Sequence, residues 1–276
     1  MKNEQIEVLR AAGIKIPACP QVLLDLQAVL QDPDSANHAI VRLIGRDIKL
    51  AAAVFKTANS PGFARGGKKF TTLDQAVAVL GRQAIGNIVR VAALQSSLSG
   101  PDPRLVRFWD VSMDMAMLCS IVAEKTPNSR LLSAEQAFTV GLFHDCGVAV
   151  LMQHYPSYCR AFGEATAPLP DILMQDDTFE SSHCIVGQMV AHEWNLPEFV
   201  FETVGHHHAP LAQVPAVAAP ACAALQMSAH LVNMHAKRDD SAWVAQRPVA
   251  MAELGLSDET LADFENEVWT SYQMLH

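Results

Sequence analysis

The chain has 276 residues, of which 50% are hydrophobic and 18% are charged. This length is enough for one large domain or two modest ones, with a substantial apolar core. The formal net charge is -9. This charge argues against a broad basic surface, although it leaves a local basic patch open, and we expect no nucleic-acid partner.

The apolar segments indicate neither secretion nor insertion into a membrane. The opening segment MKNEQIEVLRAAGIKI mixes both charges without a continuous apolar stretch, so no signal peptide is predicted. The later segment VPAVAAPACAAL is too short and too rich in proline to span a bilayer. The six cysteines are scattered without a C-x-x-C pair, which indicates reduced thiols. We therefore expect a cytoplasmic protein.

Helical periodicity dominates the first half of the chain. Apolar residues recur at the spacing of one helix face at Val22, Leu23, Leu26, Val29 and Leu30, and again at Ile85, Ile88, Val89 and Ala92. Thr72 and Gln75 form a T-x-x-Q capping box, which predicts a helix start. The segment SGPDPR, at 99–104, marks the predicted end of an N-terminal helical subdomain, 1–100.

The second half, 101–276, is also predicted to be helical. Ser133 and Gln136 form an S-x-x-Q capping box before the helix that leads into GLFHDCGVAVLM. Ser257 is a predicted N-cap, and the apolar stripe after it comprises Leu261, Phe264, Val268, Trp269 and Tyr272. We expect this amphipathic helix to pack on its own subdomain, the alternative being an interaction helix. No sustained period-two alternation occurs, so the sequence predicts an all-α fold.

The side chains that can ligate a metal ion are concentrated in this second half of the chain. His144 and Asp145 interrupt an apolar run, where an ionised carboxylate is costly unless it is paired or bound to a metal. The other candidates are His183, the triplet His206, His207 and His208, and His230. Imidazole and carboxylate suit Zn, Fe, Mn and similar divalent ions. Neighbouring residues on a helix point in different directions, so His144 and Asp145 can share one ion only at a helix end or a local distortion.

Each of these groups also has a purely structural explanation. A single histidine on an apolar helix is usually a hydrogen-bonded core residue. The triplet precedes Ala209 and Pro210, where a helix must end, and histidines there complement the negative helix terminus. Asp145 is the hardest to explain in this way, because Asp is rarely buried without a partner. The residue types alone leave a metal site and structural pairing open.

The order of these motifs resembles the HD superfamily of metal-dependent phosphohydrolases. More closely, the chain resembles the HDOD family, the HD-related output domains of bacterial signalling, over about 16–235. The segments that carry the resemblance include IPACPQVLLDLQAVLQDPD, TTLDQAVAVLGRQAIGNIV, AFTVGLFHDCGVAVL, SSHCIVGQMVAHEWNLPEFV and VGHHHAP. The resemblance implies an N-terminal helical bundle packed on an HD-like helical domain.

The resemblance also implies a metal site in the second half. The central pair of the HD hydrolases matches His144 and Asp145, the next ligand matches His183, and the following pair matches His206 and His207. These five residues are therefore the predicted ligands of a divalent ion.

Two further ligand positions depart from the HD pattern. The first histidine of the hydrolases stands in a W-x-H-S context, and here WDVS places Val111 there. The closing Asp of the hydrolases aligns with His230. One of the two metal positions therefore loses one ligand and has a second one changed. Losses of this kind lower metal affinity or activity by orders of magnitude.

We therefore favour a non-catalytic signalling output or adaptor module. It would bind an unidentified signalling protein, or a small ligand, through the groove between its two lobes and through exposed helix faces. We expect one divalent ion held without turnover and no organic cofactor. The alternative is a metal-dependent phosphohydrolase that acts on a nucleotide, a cyclic dinucleotide or a phosphate ester, with Asp145 as a ligand and metal-bound water as the nucleophile.

Overall fold

The computed structural model describes residues 7, 9, 11, 13–32, 37–59, 70–98, 102–164 and 167–274. Every regular element in these ranges is a helix, which confirms the all-α class. The chain divides into two compact units, one of Met1–Pro17 with Ser99–Thr270 and one of Ala18–Leu98 with Ser271–His276. The start of the segment SGPDPR, 99–101, lies outside the described residues, and the sequence-based division into 1–100 and 101–276 stays a prediction.

Among its described residues, the unit that contains Ala18–Leu98 holds four complete helices. They are α1 (Gln21–Gln31), α2 (Asn37–Ile44), α3 (Ile48–Ala58) and α4 (Leu73–Leu98). On α1, Leu23 and Leu26 of the predicted apolar face are buried. Gly81 interrupts α4 with a φ of 80°, a conformation that favours glycine, so this long helix is kinked there.

The start of α4 differs in detail from the predicted capping box. Thr72 Oγ1 accepts a hydrogen bond from the backbone N–H of Gln75, at 3.2 Å, as predicted. The Gln75 side chain, however, accepts from the backbone N–H of Thr71, at 3.1 Å, instead of returning to Thr72. The side chain of Gln75 thus bonds to the backbone N–H of Thr71, whereas a regular capping box has this bond at the N-cap residue, here Thr72.

Among the described residues, the other unit holds nine α-helices, the last of which extends three residues beyond the boundary of the unit at Thr270. They are α5 (Arg104–Lys125), α6 (Ala134–Phe143), α7 (Cys146–His154), α8 (Ile172–Thr178), α9 (His183–Glu193), α10 (Glu198–His206), α11 (Ala219–Ala236), α12 (Ser241–Leu254) and α13 (Asp258–Gln273). The predicted capping box at α6 is confirmed, with hydrogen bonds of 3.2 Å to Ser133 Oγ and 2.9 Å to Gln136 Oε1. Met1–Pro17 also belongs to this unit, and Trp194 Nε1 donates to the Pro17 carbonyl at 2.9 Å.

A buried arginine fixes the chain that follows α7. Arg104 Nη1 donates to the carbonyls of Pro156 and Tyr158, each at 2.7 Å, and Nη2 donates to the carbonyl of Met152 at 2.9 Å. The Asp102 carboxylate accepts from Arg104 Nε and compensates its charge. Three carbonyls that would otherwise be unpaired near the end of α7 are therefore satisfied, and the position of Tyr158 is set.

The C-terminal helix packs on its own unit, as predicted. Leu261, Phe264 and Val268 are buried along one face of α13. Lys125 of α5 forms a salt bridge of 2.7 Å with Glu267 on the same helix. None of the described helices combines the length and the apolar character needed to cross a membrane.

His230 joins three parts of the C-terminal region. Its Nδ1 donates to Asp240, in the turn before α12, and its Nε2 donates to Glu265 of α13 at 3.0 Å. The ring stacks on Trp243, with the ring centroids 4.6 Å apart. Burial opposes a charge here, but the bonds to Glu265 and Asp240 raise the pKa of His230 above its ordinary value of 6.5. The imidazolium is therefore a cationic link between α11 and α13.

Replacing His230 should make the stability of the protein less dependent on pH. The unfolded chain loses the His230 proton near 6.5, whereas the folded chain retains it to higher pH. The stabilisation is therefore complete below that pH and is lost as the pH rises through the folded-state pKa. At pH 6, His230→Gln should lower the free energy of unfolding by about 2 kcal/mol, a loss that shrinks at alkaline pH.

Urea unfolding at a series of pH values measures this effect. His192→Gln is the matched control, because His192 is exposed on α9, and its profile should follow that of the wild type. A His230→Gln loss of equal size at pH 6 and pH 10 would contradict the role of the charged ring.

Candidate metal centre

The His144–Asp145 pair lies at the junction of two helices. His144 directly follows α6, and Asp145 directly precedes α7. The sequence required a helix end if both side chains were to reach one ion, and the structure provides one. Asp145 has a φ of -103° and a ψ of 16°, outside the helical values, so the backbone turns between the two helices at this residue.

Two further histidines, His183 and His207, also lie at helix ends. His183 is the first residue of α9, where Ser182 Oγ accepts from the backbone N–H of Ile185 at 3.4 Å. His207 directly follows the last residue of α10. The three histidines and Asp145 therefore come from the ends of α6, α7, α9 and α10.

Two glycines allow close packing at this place, Gly147 between α7 and α9 and Gly187 between α9 and α10. A Cβ atom on Gly147 would lie 2.0 Å from the His183 carbonyl oxygen and 2.7 Å from the Gly187 nitrogen. A Cβ atom on Gly187 would lie 2.6 Å from Cγ1 of Val204. Because no real side chain fits at such distances, the absence of a side chain at Gly147 brings Asp145 to His183.

Each of three imidazoles has its Nδ1 atom fixed by an acceptor. Nδ1 of His144 donates to the Gly141 carbonyl at 2.7 Å, and Nδ1 of His207 donates to the Val204 carbonyl at 2.9 Å. Nδ1 of His183 faces the Asp176 carboxylate at 2.6 Å. A carbonyl oxygen only accepts, so Nδ1 carries the proton and the neutral ring presents a lone pair on Nε2. This is the tautomer that metal-binding histidines use.

The three Nε2 atoms converge on the Asp145 carboxylate. Oδ1 of Asp145 lies 3.2 Å from His207 Nε2 and 3.4 Å from His183 Nε2. Oδ2 lies 3.2 Å from His144 Nε2. The Nε2 atoms of His183 and His207 are 3.3 Å apart. Two nitrogen lone pairs and a carboxylate at such separations repel one another unless a proton or a cation lies between them.

The electrostatics of the centre favour positive charge. Burial opposes ionisation of Asp145, but His144, His207 and His183 hold the pKa of its carboxyl well below the ordinary value. Burial likewise opposes a charge on His183, yet the bond to Asp176 and the charge of Asp145 raise its pKa to about 11. The pKa of His207 is raised to about 9, against burial, by Cys184 and Asp145. Without a metal, protons on the rings supply the charge that Asp145 demands.

The donor atoms also fit a metal ion. A tetrahedral zinc site with bonds of 2.0 to 2.2 Å has ligand atoms separated by roughly 3.3 to 3.6 Å. The triangle formed by Asp145 Oδ1, His183 Nε2 and His207 Nε2 has edges of 3.2, 3.4 and 3.3 Å. These three atoms therefore resemble one face of a tetrahedral site.

Asp176 and Tyr158 support the centre and have no motif in the sequence. The Asp176 carboxylate accepts from the backbone N–H of His183 at 3.0 Å as well as from its ring. Its other oxygen accepts from the Tyr158 hydroxyl at 2.6 Å. A carboxylate–histidine pair of this kind orients a ligating ring and increases its basicity. Because Asp176 lies seven residues before His183 on a separate short helix, no spacing rule identifies it.

Cys184 and His208 also belong to the cluster, and the sequence-based ligand set omitted them. One ligand atom from each of His183, Cys184, His207 and His208 lies within 4.8 Å of the others. Burial would raise the pKa of the Cys184 thiol, but His207 and His183 lower it to about 6. The adjacency of Cys184 to a predicted ligand was the one available sequence signal.

The structure does not bring every predicted residue to this place. His144, Asp145, His183 and His207 meet, whereas the His206 ring lies against Glu202, with Nδ1 2.8 Å from its carbonyl. His206 sits within the last turn of α10, so its side chain takes a different direction from that of His207. Both ring nitrogens of His230 are bonded to Asp240 and Glu265 and so present no lone pair to an ion.

The chain matches the HDOD domain family over residues 16–210 and belongs to that family. An uncharacterized protein from Treponema pallidum (strain Nichols) is 26% identical over 195 residues, which is 70% of this chain. The chain spans 37% of the length of that relative.

Two solved structures show the same fold. A candidate signal transduction protein from Marinobacter aquaeolei VT8 has a TM-score of 0.72 and 19% identity, over 97% of this chain and 59% of the other. A candidate metal-dependent phosphohydrolase from Shewanella amazonensis SB2B has a TM-score of 0.66 and 20% identity, over 98% of both chains.

Gly147→Ala should destabilise the unit that holds the centre. The added methyl group would meet backbone atoms of α9, which cannot turn aside, so we expect a loss of about 3 kcal/mol in the free energy of unfolding. Gly205→Ala is the matched comparison, because the nearest atoms to its methyl group would be those of the Gln188 side chain, which can move, and not backbone atoms. Urea unfolding of the two variants should show a much larger loss for Gly147→Ala, and equal losses would contradict the close approach of α7 and α9.

Proposed function

We propose that this HDOD protein is a cytoplasmic signalling output or adaptor module. It acts by binding a partner protein, or a small ligand, and it holds one divalent ion without turnover. The observation that carries the metal part is the triangle of donor atoms from Asp145, His183 and His207. The signalling part is supported by the HDOD family match and by the fold shared with a candidate signal transduction protein.

The ligands argue for one ion instead of two. Val111 stands where HD hydrolases have their first histidine. His230, which aligns with their closing Asp, is bonded through both ring nitrogens to carboxylates. The second metal position therefore lacks two of its donors. A site for hydrolysis needs an open coordination position and a metal that polarises its water.

A bound ion would have a mechanical role in this module. Asp145, His183 and His207 come from the ends of three different helices. A cation held by them would neutralise the charge of Asp145 and tie those helix ends together. Since the unfolded chain has no such arrangement, binding would stabilise the folded state. The helix surfaces outside the centre would then remain for a partner.

A phosphohydrolase remains the second candidate, and one feature favours it. Asp145 presents its two oxygens to different histidines, Oδ1 to His183 and His207 and Oδ2 to His144. A carboxylate in this orientation suits a bridge between two metals. The candidate metal-dependent phosphohydrolase with the same fold points in the same direction.

Asp176→Asn should weaken Zn²⁺ binding by about 10- to 100-fold. The amide retains the shape of the side chain but loses the negative charge that orients His183 and increases its basicity. Asp177→Asn is the matched control, because Asp177 is the exposed neighbour of the buried Asp176. Isothermal titration of metal-free full-length protein measures both affinities, and an Asp176→Asn variant with wild-type affinity would refute the ligand role of His183.

Catalysis is tested with bis(p-nitrophenyl) phosphate and Mn²⁺. We expect the wild type and Asp145→Ala to give the same background rate, because the second metal position is incomplete. Mn²⁺-dependent hydrolysis that disappears in Asp145→Ala would instead establish the phosphohydrolase.

Partner binding is tested by a pull-down from an extract of the protein's own cell. The wild-type chain should retain a specific partner that a bait of unrelated fold does not retain.

A further inference from the structure

We propose that the thiolate of Cys184 is the fourth ligand of the ion at Asp145, His183 and His207, and that it closes the site against water. This inference rests on the proposed function in one respect, namely that an ion is held at these residues. It adds the identity of the remaining ligand and the class of metal that the site selects.

The position of Cys184 follows from that of His183. Cys184 is the second residue of α9, so both side chains leave the same helix end. Its Sγ lies 3.4 Å from His183 Nε2 and 3.9 Å from His207 Nδ1. Zinc bonds of about 2.3 Å to sulfur and 2.1 Å to nitrogen place the two ligand atoms of a tetrahedron roughly 3.6 Å apart. The distance from Sγ to His183 therefore fits a shared ion.

The thiol environment of Cys184 differs from that of the other cysteines with described Sγ contacts. The Sγ atoms of Cys119 and Cys146 lie against backbone carbonyls, at 4.0 and 3.8 Å, where a neutral thiol can donate. Cys19 likewise faces the Pro20 carbonyl at 3.8 Å. Both described contacts of Cys184 Sγ are with imidazole nitrogens, one of which, His183 Nε2, is a proposed ligand atom.

Two other side chains compete for the fourth position, and the geometry favours Cys184 over both. His208 is exposed, and its ring packs on the His207 ring with centroids 4.2 Å apart. His144 faces Oδ2 of Asp145, not the Oδ1 atom that belongs to the triangle. Cys184 is half-buried, and its Sγ lies 3.4 Å from His183 Nε2, one corner of the triangle.

A thiolate ligand has two consequences for the site. Cys selects softer ions such as Zn²⁺, whereas Mn²⁺ and Mg²⁺ prefer oxygen ligands. Four protein ligands also complete a tetrahedral zinc site, as in structural zinc centres, and leave no position for a reactive water. The centre would thus be a closed zinc-type site within an HD framework.

Titration of metal-free, full-length protein with Co²⁺ tests the inference. Co²⁺ gives visible d–d bands in any tetrahedral site, and a near-ultraviolet charge-transfer band only when a thiolate is bound. We expect both bands in the wild type and the d–d bands alone in Cys184→Ser. Zn²⁺ affinity, from competition with Co²⁺, should fall at least about tenfold in that variant. Cys19→Ser, which changes a half-buried cysteine outside the cluster, should keep both bands.

The outcomes separate this inference from the proposed function. If wild-type protein shows d–d bands without the charge-transfer band, an ion is bound but Cys184 is not its ligand. A charge-transfer band that persists in Cys184→Ser refutes the assignment in the same way. If Co²⁺ produces no bands and Zn²⁺ no thermal stabilisation in the wild type, both the inference and the metal part of the proposed function are wrong.

Discussion

The carboxylate of Asp145, which is only partly exposed to solvent, is the constraint on which the rest of the centre depends. It lies in an apolar run between α6 and α7, where an unpaired charge would cost several kcal/mol. The imidazoles of His144, His183 and His207 offset this cost, since each Nε2 atom lies 3.2 to 3.4 Å from a carboxylate oxygen. Each of these rings lies at a helix end. The charge of Asp145 is therefore compensated only when these helix ends pack together.

The support of the centre continues outward through a chain of hydrogen bonds. Arg104 holds the carbonyls at the end of α7 and thereby fixes Tyr158. Tyr158 donates to Asp176, and Asp176 accepts from both the ring and the backbone of His183. In a low-dielectric interior, bonds in series strengthen one another. The direction of the His183 lone pair is therefore set by groups that never touch Asp145.

The sequence predicted the parts of this arrangement that depend on local pattern. Periodicity and capping gave the all-α class, the start of α6 and the packing of α13, and the charge of Asp145 indicated that it needs partners. The sequence did not distinguish His206 from its neighbours, because a triplet across a helix end has no fixed periodicity once α10 stops. Asp176 was missed for a similar reason, since a short separate helix brings it to His183 through tertiary packing alone.

A comparison of His230 with His183 shows what separates a histidine in a structural ion pair from a metal ligand. His230 has a carboxylate on each ring nitrogen, so it is satisfied as an imidazolium and has no lone pair to offer. His183 also has a carboxylate at each ring nitrogen, Asp176 at Nδ1 and Asp145 at Nε2, but it shares the Asp145 oxygen with His207, whose Nε2 lies 3.3 Å from its own. When only Nδ1 is protonated, the two rings turn their Nε2 lone pairs towards one carboxylate oxygen and towards each other. Either protons on Nε2 or a bound cation relieves this repulsion, so the centre at Asp145 can exchange protons for an ion, whereas His230 has no such shared acceptor.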